Sequence, residues 1–381
     1  MKKTLALAMI LTGLIASGYT LKMVFYRSDK VPSGYQTWAE QTVRAAMVYL
    51  TNKQAADGDL PYQLTLDDGQ IDYRSSTCSV RNVAAVGALY NSYRLLRDQN
   101  LLEAANKGLK LCLDDYLIAR GELLYLASDD RAALGGQALL VDAIYKMYLV
   151  SDPASFRSMN DNQIVQRLGQ AMIEMKRTDG VRYFYHSLKP STGEVDPEEF
   201  VVYFDGETLM SFWELYEMTG NEYWKNEALG LNQYMQTLPV NEDHWYAYSV
   251  RLMSRHVPVD NLSLARVGLI LQMIEGNHAG HLRPAASTIS TSTKLEAMAA
   301  IRVALKNWGQ EEPVWLEPRI REYIAWIAAH QLPKNICGWK EDQVPTILYG
   351  GILTSCEKEM TYVRIDGQQH FVNGLITYLL G

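Results

Sequence analysis

The chain has 381 residues, 48% of them apolar and 21% charged, enough to bury a large core and too apolar for intrinsic disorder. Its net charge is −7, from 43 acidic against 36 basic residues. No block of Lys or Arg is long enough to neutralise a phosphate backbone, so nucleic acid is not an expected partner. Most aromatic rings carry a polar handle, with 24 Tyr and 8 Trp against 7 Phe. That balance suits wet clefts that stack on sugars, and equally the packing between amphipathic helices.

Met1-Lys2-Lys3 precedes an apolar run from Thr4 to Ala16, the order of a secretory signal, and Ala16-Ser17-Gly18 offers small residues for cleavage. Thr4 to Leu21 carries no charge and approaches the lower length limit of a spanning helix. Residues 1–26 are therefore expected to be either a signal peptide or an uncleaved signal anchor. In the second case residues 4–21 are a membrane tether, with Lys2 and Lys3 on the cytoplasmic side. Both alternatives place the body of the chain outside the cytoplasm, periplasmic or secreted.

Residues 27–381 read as one all-α domain. Amphipathic segments of 3.6-residue period are expected at 36–53, 78–97, 101–118, 134–150, 161–176 and 205–219, then at 221–236, 243–256, 260–274, 292–307, 316–331 and 366–380. No run of alternating β-branched residues of comparable length competes. Connections after even-numbered helices are mostly short, as at Asp98-Gln99-Asn100 and Gly220, and those after odd-numbered helices are mostly long. In an array of antiparallel helices this gathers the long loops on one face, the expected functional face. The fourth, sixth and twelfth helices open alike, on Gly135-Gly136-Gln137, Asp205-Gly206-Glu207 and Asp366-Gly367-Gln368. The even helices are thus read as an inner ring and the odd helices as an outer one.

Six hairpins whose inner helices open toward the long loops resemble an (α/α)6 toroid. The segment from Tyr203-Phe204-Asp205-Gly206-Glu207 through Leu215 to Asn221 is similar to hairpins of carbohydrate-active toroids: glucuronyl hydrolases, mannose-isomerase-like epimerases and the helical domains of polysaccharide lyases. The resemblance covers nearly the whole chain after residue 35 and identifies no single family. The Asp-rich motifs of terpene cyclases and the Cys/His zinc set of lanthionine cyclases, which share the toroid, do not occur.

Inner-helix N-termini converging on one rim present free N–H groups and positive dipole ends, which favour anions. The candidate catalytic groups are Asp205, Glu207, Asp243 and Asp366, because paired carboxylates can serve as general acid and base. Their alternative use is in capping the helices. Arg81, Tyr203, His244, Trp245, Arg364 and His370 are candidate substrate-binding residues. Arg364 can clamp a carboxylate, Trp245 or Tyr203 can stack on a sugar face, and Asp366 and His370 share a helical face. Acidic pairs at Asp67-Asp68 and Asp129-Asp130, and the loop aromatics Trp339, Tyr349 and Tyr362, complete the set.

No metal site is expected. The cysteines form no C-x-x-C pair, and His278 and His281 lack a third ligand. Cys337 and Cys356 flank one long loop and either bridge it or remain free. Neither G-x-G-x-x-G nor a P-loop occurs, so no dinucleotide or triphosphate cofactor is expected. The resemblance and the export signal together imply an extracytoplasmic enzyme, a glycoside hydrolase, lyase or epimerase, acting on an acidic or neutral polysaccharide. The alternative is a non-catalytic glycan-binding or scaffold protein of exopolysaccharide assembly.

Overall fold

A computed structural model describes residues 34–66, 71–72, 80–151, 161–357 and 361–381. The expected signal or anchor at 1–26, Asp67-Asp68 and Cys78 lie outside them. Among the described residues no helix is long and apolar enough to cross a membrane.

The helices are α1 Tyr35–Thr51, α2 Val80–Leu96, α3 Gln99–Asp115, α4 Leu134–Tyr148, α5 Asp161–Glu174 and α6 Phe204–Thr219. The second half holds α7 Glu222–Thr237, α8 His244–Met253, α9 Asn261–Gly276, α10 Thr288–Asn307, α11 Leu316–Ala328 and α12 Ile365–Leu380. Each matches one expected segment. A further single turn spans His278–His281.

The even helices form a closed ring: α2 packs on α4, α4 on α6, and so on through α8, α10 and α12, which returns to α2. Burial follows from this placement. Every residue of α4 from Leu134 to Tyr145, and of α12 from Ile365 to Thr377, is buried. By contrast α3 buries one stripe only, Leu101, Ala104, Ala105, Gly108, Leu109, Leu111 and Cys112, as an outer amphipathic helix should. Short links at the lower face are closed by capping side chains. Asn221 accepts the Tyr223 N–H, Asp260 accepts the Ser263 N–H at 2.8 Å, and Gly220 takes the left-handed conformation that ends α6.

The long connections gather at the N-terminal ends of the inner helices and carry short strands that the helical period does not announce. These are β1 Gln63–Thr65, β2 Ile71–Asp72, β3 Leu117–Arg120, β4 Leu123–Leu126, β5 Ala132–Ala133, β6 Ser187–Leu188 and β7 Tyr362–Arg364. β1 lies between β2 and β7, all antiparallel, with Gln63 opposite Arg364. This sheet ties the first long connection to the last and so helps close the circle. Expected helix 101–118 is cut short because residues 117 and 118 enter β3. Helix α10 starts four residues before its expected position, because hydroxyls of its Ser/Thr-rich first turns bond the loops: Thr288 Oγ1 donates to Leu353 O and Thr291 Oγ1 to His281 O, each at 2.8 Å. Cys337 and Cys356 are disulfide-bonded across the last long connection, so the free-thiol alternative does not hold for this pair.

Candidate active site

The rim of the inner ring encloses a cavity of about 750 Å³. The first turn of α2 supplies Arg81, α6 supplies Tyr203 and Glu207, α8 supplies Asp243, His244 and Trp245, and α12 supplies Asp366 and His370. Lys294, from the second turn of α10, joins them. Eight of the ten expected site residues therefore line one cavity, and Asp205 and Arg364 do not.

Partners delivered by other elements explain both exceptions. Asp205 and Asp366 occupy the second position of their helices, yet meet different partners. Asp205 faces the loop between α5 and α6, where the fully buried His186 places Nε2 3.4 Å from its Oδ1. The Val201 N–H donates to His186 Nδ1 at 2.8 Å, which leaves the proton of a neutral ring on Nε2, toward Asp205. Asp366 instead takes Arg364 and, at 3.3 Å, Arg81 Nε. Both guanidinium groups also stand over the Tyr62 ring, at 5.3 Å for Arg81 and 5.2 Å for Arg364. Arg364 thus holds Asp366 from behind the cavity wall.

Gln137 and Gln368, fourth in α4 and α12, are loop clamps. Gln137 Nε2 donates to Leu126 O and its Oε1 accepts the Leu126 N–H, both at 2.7 Å. Gln368 does the same to Ile352, at 3.1 and 3.0 Å. Glu207 is fourth in α6 and clamps nothing: it is 1% exposed, and its Oε2 has no hydrogen-bond partner. It fits because position 135 on the neighbouring helix is Gly, where a Cβ would collide with Oε2. Burial pushes its carboxyl well above the usual range, with Asp243 and Asp142 adding to the shift. Asp243 caps α8, accepting the Trp245 N–H at 2.9 Å and the Tyr246 N–H at 3.3 Å. Burial outweighs those bonds and raises its pKa to about 6. The rim dipoles expected to attract an anion are met here by the chain's own carboxylates: Asp243 at α8, and Asp366, which accepts the Gly367 N–H at 3.1 Å.

The cavity floor holds two imidazoles on one carboxylate. His370 Nδ1 lies 2.7 Å from Glu296 Oε2, His244 Nε2 lies 3.6 Å from the same oxygen, and the two rings meet edge to face at 5.0 Å. Glu296 is fully buried, and its other oxygen accepts the Tyr248 hydroxyl at 3.0 Å. Burial, then His370 and Lys294, hold His244 well below the ordinary histidine range, so the ring is neutral. Burial works against charge on His370 too, but the Glu296 carboxylate outweighs it and raises the ring above that range. Trp245 packs on His244 at 4.6 Å and fixes that wall.

Glu296 was not among the expected site residues. With α10 starting at Thr288 it lies in the third turn, below the rim. Its signal is a lone acid within the apolar stretch Leu295-Glu296-Ala297-Met298-Ala299-Ala300. His244, Glu296 and His370 are also a geometrically possible ligand set, their nearest atoms all within 4.8 Å of one another. The 2.7 Å His370–Glu296 contact is a hydrogen-bond distance, and a shared proton satisfies it. His278 and His281 separate to different partners, Glu322 at 3.5 Å and Glu242 at 3.3 Å.

No family model and no curated protein matches the chain in sequence. Solved structures do. A cellobiose 2-epimerase from Spirochaeta thermophila superposes with a TM-score of 0.65 at 12% identity, covering 93% of this chain and 100% of that one. A D-mannose isomerase gives 0.64 at 10% identity over 92% and 100% of the two chains. A mutant unsaturated glucuronyl hydrolase from Streptococcus agalactiae gives 0.57 at 11% identity over 93% of each. The fold is the (α/α)6 toroid. Identities this low establish architecture, so chemistry must be argued from the cavity itself.

Proposed function

We propose that this chain is a carbohydrate-processing enzyme whose cavity transfers a proton at a sugar carbon next to a carbonyl. That step is common to epimerisation, isomerisation and elimination. The carrying observation is the His244–Glu296–His370 floor, where two neighbouring imidazoles are pushed in opposite directions and so divide the roles of base and acid. Neutral His244 takes the proton from carbon, the C–H electron pair moves into the carbonyl, and His370 supplies a proton to the oxygen that gains charge. Return of a proton to carbon from a different face, or to the adjacent carbon, gives an epimer or an isomer. Loss of a leaving group gives an unsaturated product. Trp245 and Tyr203 offer ring faces for stacking, and the names of two neighbours, an isomerase and an epimerase, agree with this class.

A second reading, hydrolysis, rests on Glu207 and Asp243, whose raised carboxyls line the same cavity. Incubation with a panel of neutral, amine-bearing and acidic saccharides, followed by NMR of the products, separates the two. The proton-transfer reading expects an epimer, keto isomer or unsaturated sugar, with turnover reduced about 10²–10⁴-fold in His244→Gln. Shortened, otherwise unchanged sugars alone would overturn it in favour of the hydrolase. Binding without turnover would favour the glycan-binding scaffold.

The enzyme is further proposed to work outside the cytoplasm. The Lys2-Lys3 and apolar N-terminal order supports this, as does the Cys337–Cys356 disulfide, which suits an oxidising compartment. A C-terminal reporter active only when exported should be active, and a cytoplasmic signal would contradict the placement.

A further inference from the structure

Among the described residues the cavity is lined by five acidic side chains, Glu199, Glu207, Glu242, Asp243 and Asp366, against Arg81, Arg131, Lys294 and the His370 ring, whose charged form Glu296 favours. Each of these already faces a carboxylate, His370 that of Glu296 at 2.7 Å. Arg81 Nε lies 3.3 Å from Asp366, Lys294 Nζ lies 2.9 Å from Glu242, and Arg131 pairs with Glu199. Glu207 and Asp243 are left with no cation in the cavity, and Glu207, nine-tenths buried and more, keeps one oxygen unpartnered. An adjoining groove of about 480 Å³ shares Arg131 and Glu199 with the cavity and extends it outward. It adds Asp129, Asp130, Glu194 and Asp196 against Lys189, itself 2.6 Å from Glu194.

We infer that this cleft selects an amine-bearing, cationic saccharide chain over a uronic acid chain, with Glu207 receiving an ammonium in the cavity and the outer groove taking further units. The inference rests on the saccharide reading of the site and names its substrate class. Burial disfavours the ionised form of Glu207, and an ammonium beside it restores that form and turns an unpartnered buried carboxyl into a charge-assisted hydrogen bond. A uronate brings a like charge into a cleft whose carboxyl groups outnumber its cations, and every cation it can reach already faces a carboxylate, which is discrimination by repulsion.

The test is calorimetric binding of the purified chain to tetramers of glucosamine, N-acetylglucosamine and galacturonate at about pH 6, below the amine pKa, at low and high salt. The expected order is glucosamine first by roughly tenfold or more, an advantage that shrinks with salt. Glu207→Gln should bring glucosamine and N-acetylglucosamine to near parity. Asp129→Asn lies outside the cavity, at φ 50, where Asn is well tolerated, so the turn survives. It should weaken the glucosamine tetramer about twofold and leave the N-acetylated one unchanged. Equal binding of those two tetramers by the parent chain, or tighter binding of galacturonate, would overturn the inference. If the binding order holds and no carbon-bound proton is ever exchanged, only the proton-transfer reading fails. If exchange occurs on uronates, that reading stands and this inference falls.

Discussion

At the fourth residue of α4 and of α12, Gln137 and Gln368 each close two hydrogen bonds on the backbone of one loop residue. At the same place in α6, Glu207 leaves an oxygen without a partner at the cavity wall. An amide carries a donor and an acceptor, so it can answer both the N–H and the C=O of one residue. A carboxylate accepts only, and the protonated carboxyl that burial favours at Glu207 leaves its Oε2 without a loop partner to clamp. One change of atom therefore separates two mouths of the ring that fasten loops from one left free to meet a ligand. Glycine at position 135 belongs to the same difference, since it makes the room in which the Glu207 carboxyl sits.

Putting a carboxyl where a glutamine fastens a loop should cost the most. Gln368→Glu removes the donor to Ile352 O and to Arg364 O and sets a buried carboxyl against both carbonyls. Stability should fall by about 3 kcal/mol, read from urea unfolding at neutral pH; an unchanged midpoint would show that the clamp carries nothing.

An effect of at most that size, and dependent on pH, concerns Asp243, which has both a capping and a cavity role. Its folded pKa of about 6 exceeds the usual carboxylate value, so between roughly pH 4 and 6 the folded chain binds more protons than the unfolded one. Stability contributed by this group is therefore lost as pH rises through that window, by up to about 3 kcal/mol. Asp243→Asn keeps the cap and cannot titrate, so its stability-against-pH curve should be flatter there. A curve of the same slope would place the titration elsewhere.

The mildest change is Glu207→Gln, which copies the clamp residue into a mouth with nothing to clamp. Its stability should stay within about 1 kcal/mol of the parent. A loss of several kcal/mol would make Glu207 a structural residue like its two counterparts.

The fold was legible because the inner helices announce themselves by near-continuous apolarity, as from Leu134 to Tyr145, and because long and short connections alternate. The repeated Gly-Gln and Gly-Glu openings marked the functional face but could not say which copy is structural, since that depends on loop backbones at Leu126 and Ile352. Nor could sequence tell Asp205 from Asp366, which hold the same helical position. Their difference lies in His186 and Arg81, delivered by other elements. Glu296 stayed hidden because the Ser287 to Thr291 stretch reads as loop, whereas its hydroxyls bind loop carbonyls and carry α10 four residues further back.

Proton transfer to and from a sugar carbon, proposed for the His244–Glu296–His370 floor, is open to a direct measurement. Incubation in D2O with a saccharide the chain turns over, followed by proton NMR, reads that step without reference to the final product. Deuterium should appear at one carbon adjacent to the carbonyl, or that hydrogen should be lost by elimination, at a rate cut about 10²–10⁴-fold in His244→Gln and His370→Gln while the helical circular dichroism persists. Turnover with every carbon-bound hydrogen retained, or full activity in both histidine variants, would contradict it.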